Sequence, residues 1–150
     1  MKKILIQLDS DRLASVFDAI TAYDADVDRV LQYSGVSPED VRDLVYGAMF
    51  TRGGDDLKNS AVFIGGSNVA LGEKMMKAAT DAFFGPVRVS VMLDANGCNT
   101  TAAAMVQKVA SVGVLTGHKV VVMGGTGPVG VRASALMAGE GAQVLLLSLI

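Results

Sequence analysis

A short apolar run that ends in a glycine hexamer constrains this chain more than any other stretch. Val120 to Met123 leads into Gly125-Thr126-Gly127-Pro128-Val129-Gly130, and a helical pattern follows in Val131, Ala135, Leu136 and Ala138. The order is strand, tight turn, helix. In a G-x-G-x-x-G at such a junction one glycine makes the turn, the next admits a diphosphate close to the backbone, and the third packs helix on strand. The N–H groups that open the helix then face the anion. The hexamer alone is weak evidence, because the chain holds 17 glycines. Its placement between strand and helix favours a dinucleotide site over a close-packed βα turn without a ligand. An ATPase-type phosphate loop is disfavoured, since no Gly-Lys-Ser or Gly-Lys-Thr closes the turn.

The rest of the chain can support such a fold. Its 150 residues are 51% hydrophobic and 19% charged, enough for a substantial core and too apolar for disorder. The net charge of −2 argues against a nucleic-acid footprint, which needs a basic face. No apolar run reaches the length of a membrane span, the longest being Val144 to Ile150 with Ser148 inside it. Met1-Lys-Lys-Ile-Leu-Ile-Gln reads as a first strand and not as a signal peptide. A single cysteine allows no internal disulfide, compatible with the cytoplasm. Cys98 has no candidate base near it in sequence and reads as a helix-start residue, not a nucleophile. No metal-ligating pattern stands out.

From the amino terminus, strands and helices alternate. Strands are expected at Lys3 to Leu8, Arg29 to Tyr33, Ser60 to Ile64, Val87 to Leu93, Val120 to Met123 and Gln143 to Leu147. The first helix opens at Ser15 with Val16, Ala19, Ile20 and Tyr23 at helical spacing. Ser37 caps the second, with Pro38 at its first position and a run to about Tyr46; Thr51 to Asp56 is an exposed loop. A third runs from Ser67 or Asn68 to about Phe84, stopped by Gly85-Pro86. The fourth covers Thr100 to Val112, with Met105, Val109 and Val112 on its apolar stripe. Short connections between alternating elements imply parallel pairing through right-handed crossovers. The fold class is therefore α/β: a parallel-sheet unit over residues 1–97, then the first βαβ of a Rossmann domain over residues 98–150. In the first unit, Asp9, Gly65-Gly66 and Asp94 to Asn96 lie in loops after strands, where open parallel sheets bind ligands. Such residues also serve as caps and turns, but their clustering favours a substrate surface.

The segments Gln7-Leu-Asp9, Ser15-Val-Phe-Asp18, Tyr23-Asp24, Thr51-Arg-Gly-Gly54, Phe83-Phe-Gly-Pro86, Arg88-Val-Ser90, Met92-Leu-Asp94, Asn96-Gly97 and Asn99-Thr-Thr-Ala-Ala-Ala104 carry a resemblance that spans nearly the whole chain. With Gly125 to Gly130, Arg132 and Ala138 to Ala142, they resemble the methylene-tetrahydromethanopterin dehydrogenases of methylotrophic bacteria. That resemblance implies an oxidoreductase that moves a hydride from the methylene carbon of methylene-tetrahydromethanopterin, or methylene-tetrahydrofolate, to NADP or NAD. It further implies a cytoplasmic homo-oligomer of one-carbon metabolism and formaldehyde oxidation. Loss of hydride from a carbon between two nitrogens leaves a resonance-stabilised methenyl cation, so no proton-transfer dyad is required, and none is assigned.

On this resemblance Phe17 is a candidate to stack on the pterin, or else a core aromatic. Asp94, Asn96 and Thr101 are candidates to bond its edge or tail, with helix capping the alternative for Asp94 and Thr101. Gly125, Thr126, Gly127, Pro128, Val129 and Gly130 would hold the cofactor, and Ser148 would approach its ribose phosphate. In the family a basic residue after the last strand suits the 2′-phosphate of NADP, whereas Leu149-Ile150 stand here. A nucleotide-binding half normally has three strands, and a bare Val144-Leu-Leu-Leu strand would expose an apolar edge. The chain is accordingly expected to be a carboxyl-truncated copy of a longer enzyme. The alternative is a fragment that binds pterin or nucleotide, or joins a partner, without turnover. A short-chain oxidoreductase is disfavoured, because none of Tyr23, Tyr33 or Tyr46 is followed by Lys four positions on.

Overall fold

The computed structural model describes residues 1–148. The chain divides into two compact units, Met1–Asn96 and Gly97–Ile150. The first holds β1 (Ile4–Asp9), α1 (Val16–Asp24), β2 (Arg29–Tyr33), α2 (Pro38–Phe50), β3 (Ser60–Gly65), α3 (Val69–Asp81) and β4 (Ser90–Leu93). The second holds α4 (Cys98–Ala110), β5 (Lys119–Met123), α5 (Pro128–Gly139) and β6 (Gln143–Leu147). Every strand pairing within the two sheets is parallel, in the orders β2-β1-β3-β4 and β5-β6. The α/β class therefore holds.

In the first unit alternate residues of the central strands, Ile6 and Leu8 of β1 with Val62 and Ile64 of β3, pack against Val41 and Val45 of α2 and Met75 and Ala79 of α3. Period-two alternation in the strands meets period-3.6 spacing in the helices, and their shared face is the core. Gln7 and Asp9 are the buried polar residues of β1, and Gln7 is satisfied: its Nε2 donates to the Ser15 carbonyl at 3.1 Å and its Oε1 accepts from Gln32 Nε2 at 3.2 Å. Strand β2 lies at the sheet edge, where the Tyr23 hydroxyl accepts the Val30 N–H at 3.4 Å. The second unit is smaller. Ala102 and Val106 of α4, Val122 of β5, and Ala133 and Met137 of α5 form its core with Leu115.

Local chemistry explains most helix ends, and several expectations shift. Ser15 caps α1 by accepting the Asp18 N–H at 3.2 Å, and Asn68 caps α3 by accepting the Leu71 N–H at 3.0 Å. Helix α2 runs to Phe50, four residues past the expected end, and the expected loop after it contains a 3₁₀ helix, Gly54–Asn59. Helix α3 stops at Asp81, before Gly85-Pro86, which instead make a tight turn where Phe84 and Val87 exchange backbone bonds. Strand β4 begins at Ser90, not Val87.

Three helical faces were misassigned by the apolar pattern. On α1 the buried residues are Ala19 and Ala22, whereas Val16, Ile20 and Tyr23 are exposed. On α4 the buried stripe is Cys98, Ala102 and Val106, with Val109 half-buried against the same core as expected; Met105 faces outward, and Val112 is exposed beyond the helix end at Ala110. On α5 it is Ala133, Ser134 and Met137, with Val131, Ala135, Leu136 and Ala138 exposed. Small residues let these helices lie close to their neighbours, so most of the large side chains, Val106 and Met137 excepted, are left on the outer faces.

Asn96 and Gly97 both have left-handed backbones, with φ of 54° and 60°. Gly97 is the N-cap residue of α4, and Thr101 lies further along its first turn. Truncating Ile64 to Ala, a fully buried residue at the centre of the first core, is expected to cost about 2–5 kcal/mol. Urea denaturation should show a lowered midpoint with an unchanged slope.

Candidate functional site

Parallel register brings the carboxyl ends of β1, β3 and β4 level, with Asp9 paired to Gly65 and Ile64 to Leu93. The loops that follow interlock. The buried carboxyl of Asp9 accepts the Asp11 N–H at 2.9 Å and the Ser15 N–H at 2.8 Å, which fixes the loop that opens α1. Asp11 in turn accepts both the backbone N–H and the hydroxyl of Ser67, each at 2.9 Å, tying the β1 loop to the β3 loop. The Asn96 N–H donates to the Gly66 carbonyl at 2.7 Å, and that of Asp94 to the Ile64 carbonyl at 3.0 Å. Asp9, Gly65-Gly66 and Asp94 to Asn96, picked from sequence as one surface, thus converge at one end of the sheet.

Gly66 is required there twice over. Its φ is +99°, and a Cβ would lie 2.2 Å from Ser10 Oγ. Gly65 is less crowded, with a Cβ position 3.1 Å from Asp18 Oδ2, 3.2 Å from Phe63 Cε1 and 3.7 Å from Asp9 Oδ2. Asp18 is a residue of this end that pattern reading passed over. It lies one turn into α1 and reads in sequence as an ordinary first-turn acid. Burial pushes its carboxyl above the usual aspartate range; a bond with Ser15 opposes the shift, and the nearby charges of Asp9 and Asp94 add to it. Phe17, at the start of α1, is 77% exposed, so it is not a core aromatic. Leu13, Val16 and Ile20 are exposed beside it in the sequence.

In the second unit the hexamer lies where expected, between β5 and α5, but its glycines divide the work differently. The turn glycine is Gly124, one position earlier, with φ of +67°. A Cβ on Gly125 would meet the Val122 carbonyl at 2.9 Å and Leu146 Cδ2 at 2.5 Å, and one on Gly130 would meet Gly124 O and Gly125 Cα at 2.7 Å. Both are packing glycines. Gly127, the N-cap of α5, has only Gly124 O at 3.6 Å near its Cβ position, so the turn is open to an approaching group on that side. Pro128 has no N–H, so Val129 and Gly130 supply the outward amides that an α-helix leaves without intrahelical partners in its first turn. Those features fit a diphosphate.

The hydroxyls of Thr126 and Ser148 lie 3.2 Å apart, bridging the ends of β5 and β6. Thr101 is exposed in the first turn of α4. Sequence reading also assigned no task to Arg132, whose Nε donates to Asn99 Oδ1 at 2.6 Å and whose guanidinium bonds the Pro128 carbonyl at 3.1 Å. Leu149-Ile150, discussed above for the 2′-phosphate, lie outside the described residues. Among the described residues no group of three His, Cys, Asp or Glu side chains is placed to hold a metal ion. No described helix is long and apolar enough to cross a membrane.

Residues 16–96, more than half the chain, match the family model of the methylene-tetrahydromethanopterin dehydrogenase amino-terminal domain. The chain belongs to this family. It is 50% identical over 147 residues to the bifunctional protein MdtA of Methylorubrum extorquens, an alignment covering 97% of this chain and 51% of that protein. It is 35% identical over 152 residues to the NAD(P)-dependent methylenetetrahydromethanopterin dehydrogenase of the same organism, again 97% of this chain and 51% of the relative. The chain spans about half the length of these curated relatives.

Three variants test the geometry within this family. A raised Asp18 pKa means that the native state keeps a proton which the unfolded chain has already lost. Stability from this group therefore falls as pH rises from the ordinary aspartate range through the raised value, and stays lowered above it. Asp18→Asn is expected to raise the melting temperature at neutral pH, with the gain vanishing toward roughly pH 3; solvent screening keeps it small. A gain that persists in acid would contradict this assignment. In the second unit, Gly130→Ala is expected to cost about 1–3 kcal/mol by overpacking. Gly127→Ala should stay within about 1 kcal/mol of the parent by chemical denaturation.

Proposed function

We propose that this chain carries the pterin surface and the diphosphate turn of a cytoplasmic, homo-oligomeric oxidoreductase. It would move a hydride from the methylene carbon of methylene-tetrahydromethanopterin, or methylene-tetrahydrofolate, to NADP or NAD. The observation that carries this reading is the match of residues 16–96 to the dehydrogenase family, joined to a strand–glycine turn–helix that leaves room at Gly127. Residues 1–97 would form the pterin unit and residues 98–150 the start of a Rossmann cofactor unit.

The chemistry asks little of the side chains. When bound, the nicotinamide accepts the hydride; the protein holds donor and acceptor in a productive orientation. The N–C–N centre gains positive charge as hydride leaves, and a surface with Asp18 and Asp94 close by favours that charge. In this reading Asp9 acts by shaping its loop, since both of its oxygens already hold backbone N–H groups. Phe17 stacks on the pterin from the exposed face of α1, and Asp94, Asn96 and Thr101 bond its edge or tail. Gly125 to Gly130 hold the diphosphate, while Thr126 and Ser148 stand near the adenosine ribose. Ser148 brings no carboxylate to repel a 2′-phosphate, which leaves NADP acceptable beside NAD.

The protein should be assayed in its native form for cofactor reduction with each pterin. Turnover in the native protein is the expected result. Binding of pterin and dinucleotide without turnover would instead favour a non-catalytic binding fragment. Phe17→Ala, at an exposed position, is expected to change stability by no more than about 0.5 kcal/mol while raising the pterin KM. Asp94→Ala should raise the pterin KM about tenfold, the loss of one charge-assisted bond; an unaltered KM removes Asp94 from the site.

A further inference from the structure

We propose that Arg132 is a positioning residue for the dinucleotide, acting through Pro128 and Asn99 and not on the reacting ring. The inference rests on the diphosphate reading of the glycine turn and adds to it a device that sets the turn's geometry. Helices α4 and α5 pack side by side, and both begin at the same end of their unit as the turn. Arg132 sits one helical turn into α5. Its guanidinium reaches back to the carbonyl of Pro128, the first residue of α5, at 3.1 Å, and across to Asn99 Oδ1 in the first turn of α4, at 2.6 Å.

One planar fork therefore fastens the first turns of both helices to each other. Arginine suits the task because its donors are rigidly oriented, whereas a lysine ammonium is a point charge on a flexible stem. The placement of charge points the same way. Among the described residues from Gly97 onward, Lys108 lies in the last turn of α4, Lys119 opens β5 and Glu140 is the C-cap residue of α5. These lie at the far end of the unit from the glycine turn, and Arg132 lies near it. The amides of Val129 and Gly130 are the groups whose direction a diphosphate would sense, and they follow Pro128 directly.

The test is calorimetric titration of NADP and of NAD into the native protein and the variants Arg132→Met, Arg132→Lys and Asn99→Ala, with circular dichroism to check folding. Each variant is expected to weaken dinucleotide binding about tenfold, the scale of one hydrogen bond to a charged group. Turnover number and pterin KM should stay within about twofold of the parent, well under the tenfold step of a lost bond. Arg132→Lys should fail to rescue, because it restores charge without the fork, and the Arg132→Met/Asn99→Ala double variant should be no weaker than either single one. If Arg132→Met does not fold, Asn99→Ala and Arg132→Lys carry the comparison. Parental affinity in these variants, full rescue by lysine, or additive losses in the double variant would overturn the role of Arg132 and leave the diphosphate reading intact. A native protein that binds neither dinucleotide would overturn that reading, and this inference with it.

Discussion

A carboxyl group can sit in the core of a small α/β unit only when its oxygens are satisfied, since an unpaired buried charge is costly. Asp9 meets that condition with two backbone N–H groups from its own loop. The consequences spread outward from it. The start of α1 is fixed at Ser15, so Phe17 and Asp18 emerge at the same end of the sheet. Asp11 is left facing the β3 loop, where it gathers Ser67. The Gly65-Gly66 backbone can then come within van der Waals reach of Ser10 and the aspartates. The acidic character of this end follows from a backbone requirement before any substrate is considered, and a cation-forming reaction would benefit from it.

The two units solve the same crowding problem in different ways. In the first, glycine clears space for polar side chains: Gly66 yields to Ser10, and Gly65 to Asp18. In the second, glycine clears space for backbone and aliphatic groups: Gly125 admits Leu146, and Gly130 lets α5 rest on the Gly124-Gly125 peptide. Gly127 differs from these two: its φ is −75° and only Gly124 O, at 3.6 Å, lies near its Cβ position, whereas Gly124, open as well, needs glycine for its φ of +67°. That contrast separates glycines the fold requires from the one that leaves space for a visitor.

Strands were the most legible part of the sequence. Arg29–Tyr33 and Gln143–Leu147 match their expected bounds, because parallel strands are short apolar runs bounded by turn residues. The alternation of elements then left little freedom in topology. Helix faces were read poorly, for one reason: on α1, α4 and α5 most of the buried positions are alanine, serine or cysteine, joined only by Val106 and Met137, and a pattern weighted toward large apolar residues follows the wrong stripe. Loops after strands could be picked as a surface, because Asp, Asn and Gly collect there. What could not be seen were contacts between residues far apart in sequence, such as Asp11 with Ser67 or Asn99 with Arg132, 56 and 33 positions distant. No periodicity links such pairs.

Asn96 and Gly97 place two left-handed residues in succession at the border of the two units. Most side chains resist that conformation, by about 1–2 kcal/mol at each residue, and a β-branched one resists it most. The crossing from one unit to the next is thus a conformational bottleneck that few residue types can pass. A chain recombined at this border with another α/β protein would inherit the requirement, whatever the compatibility of the two cores.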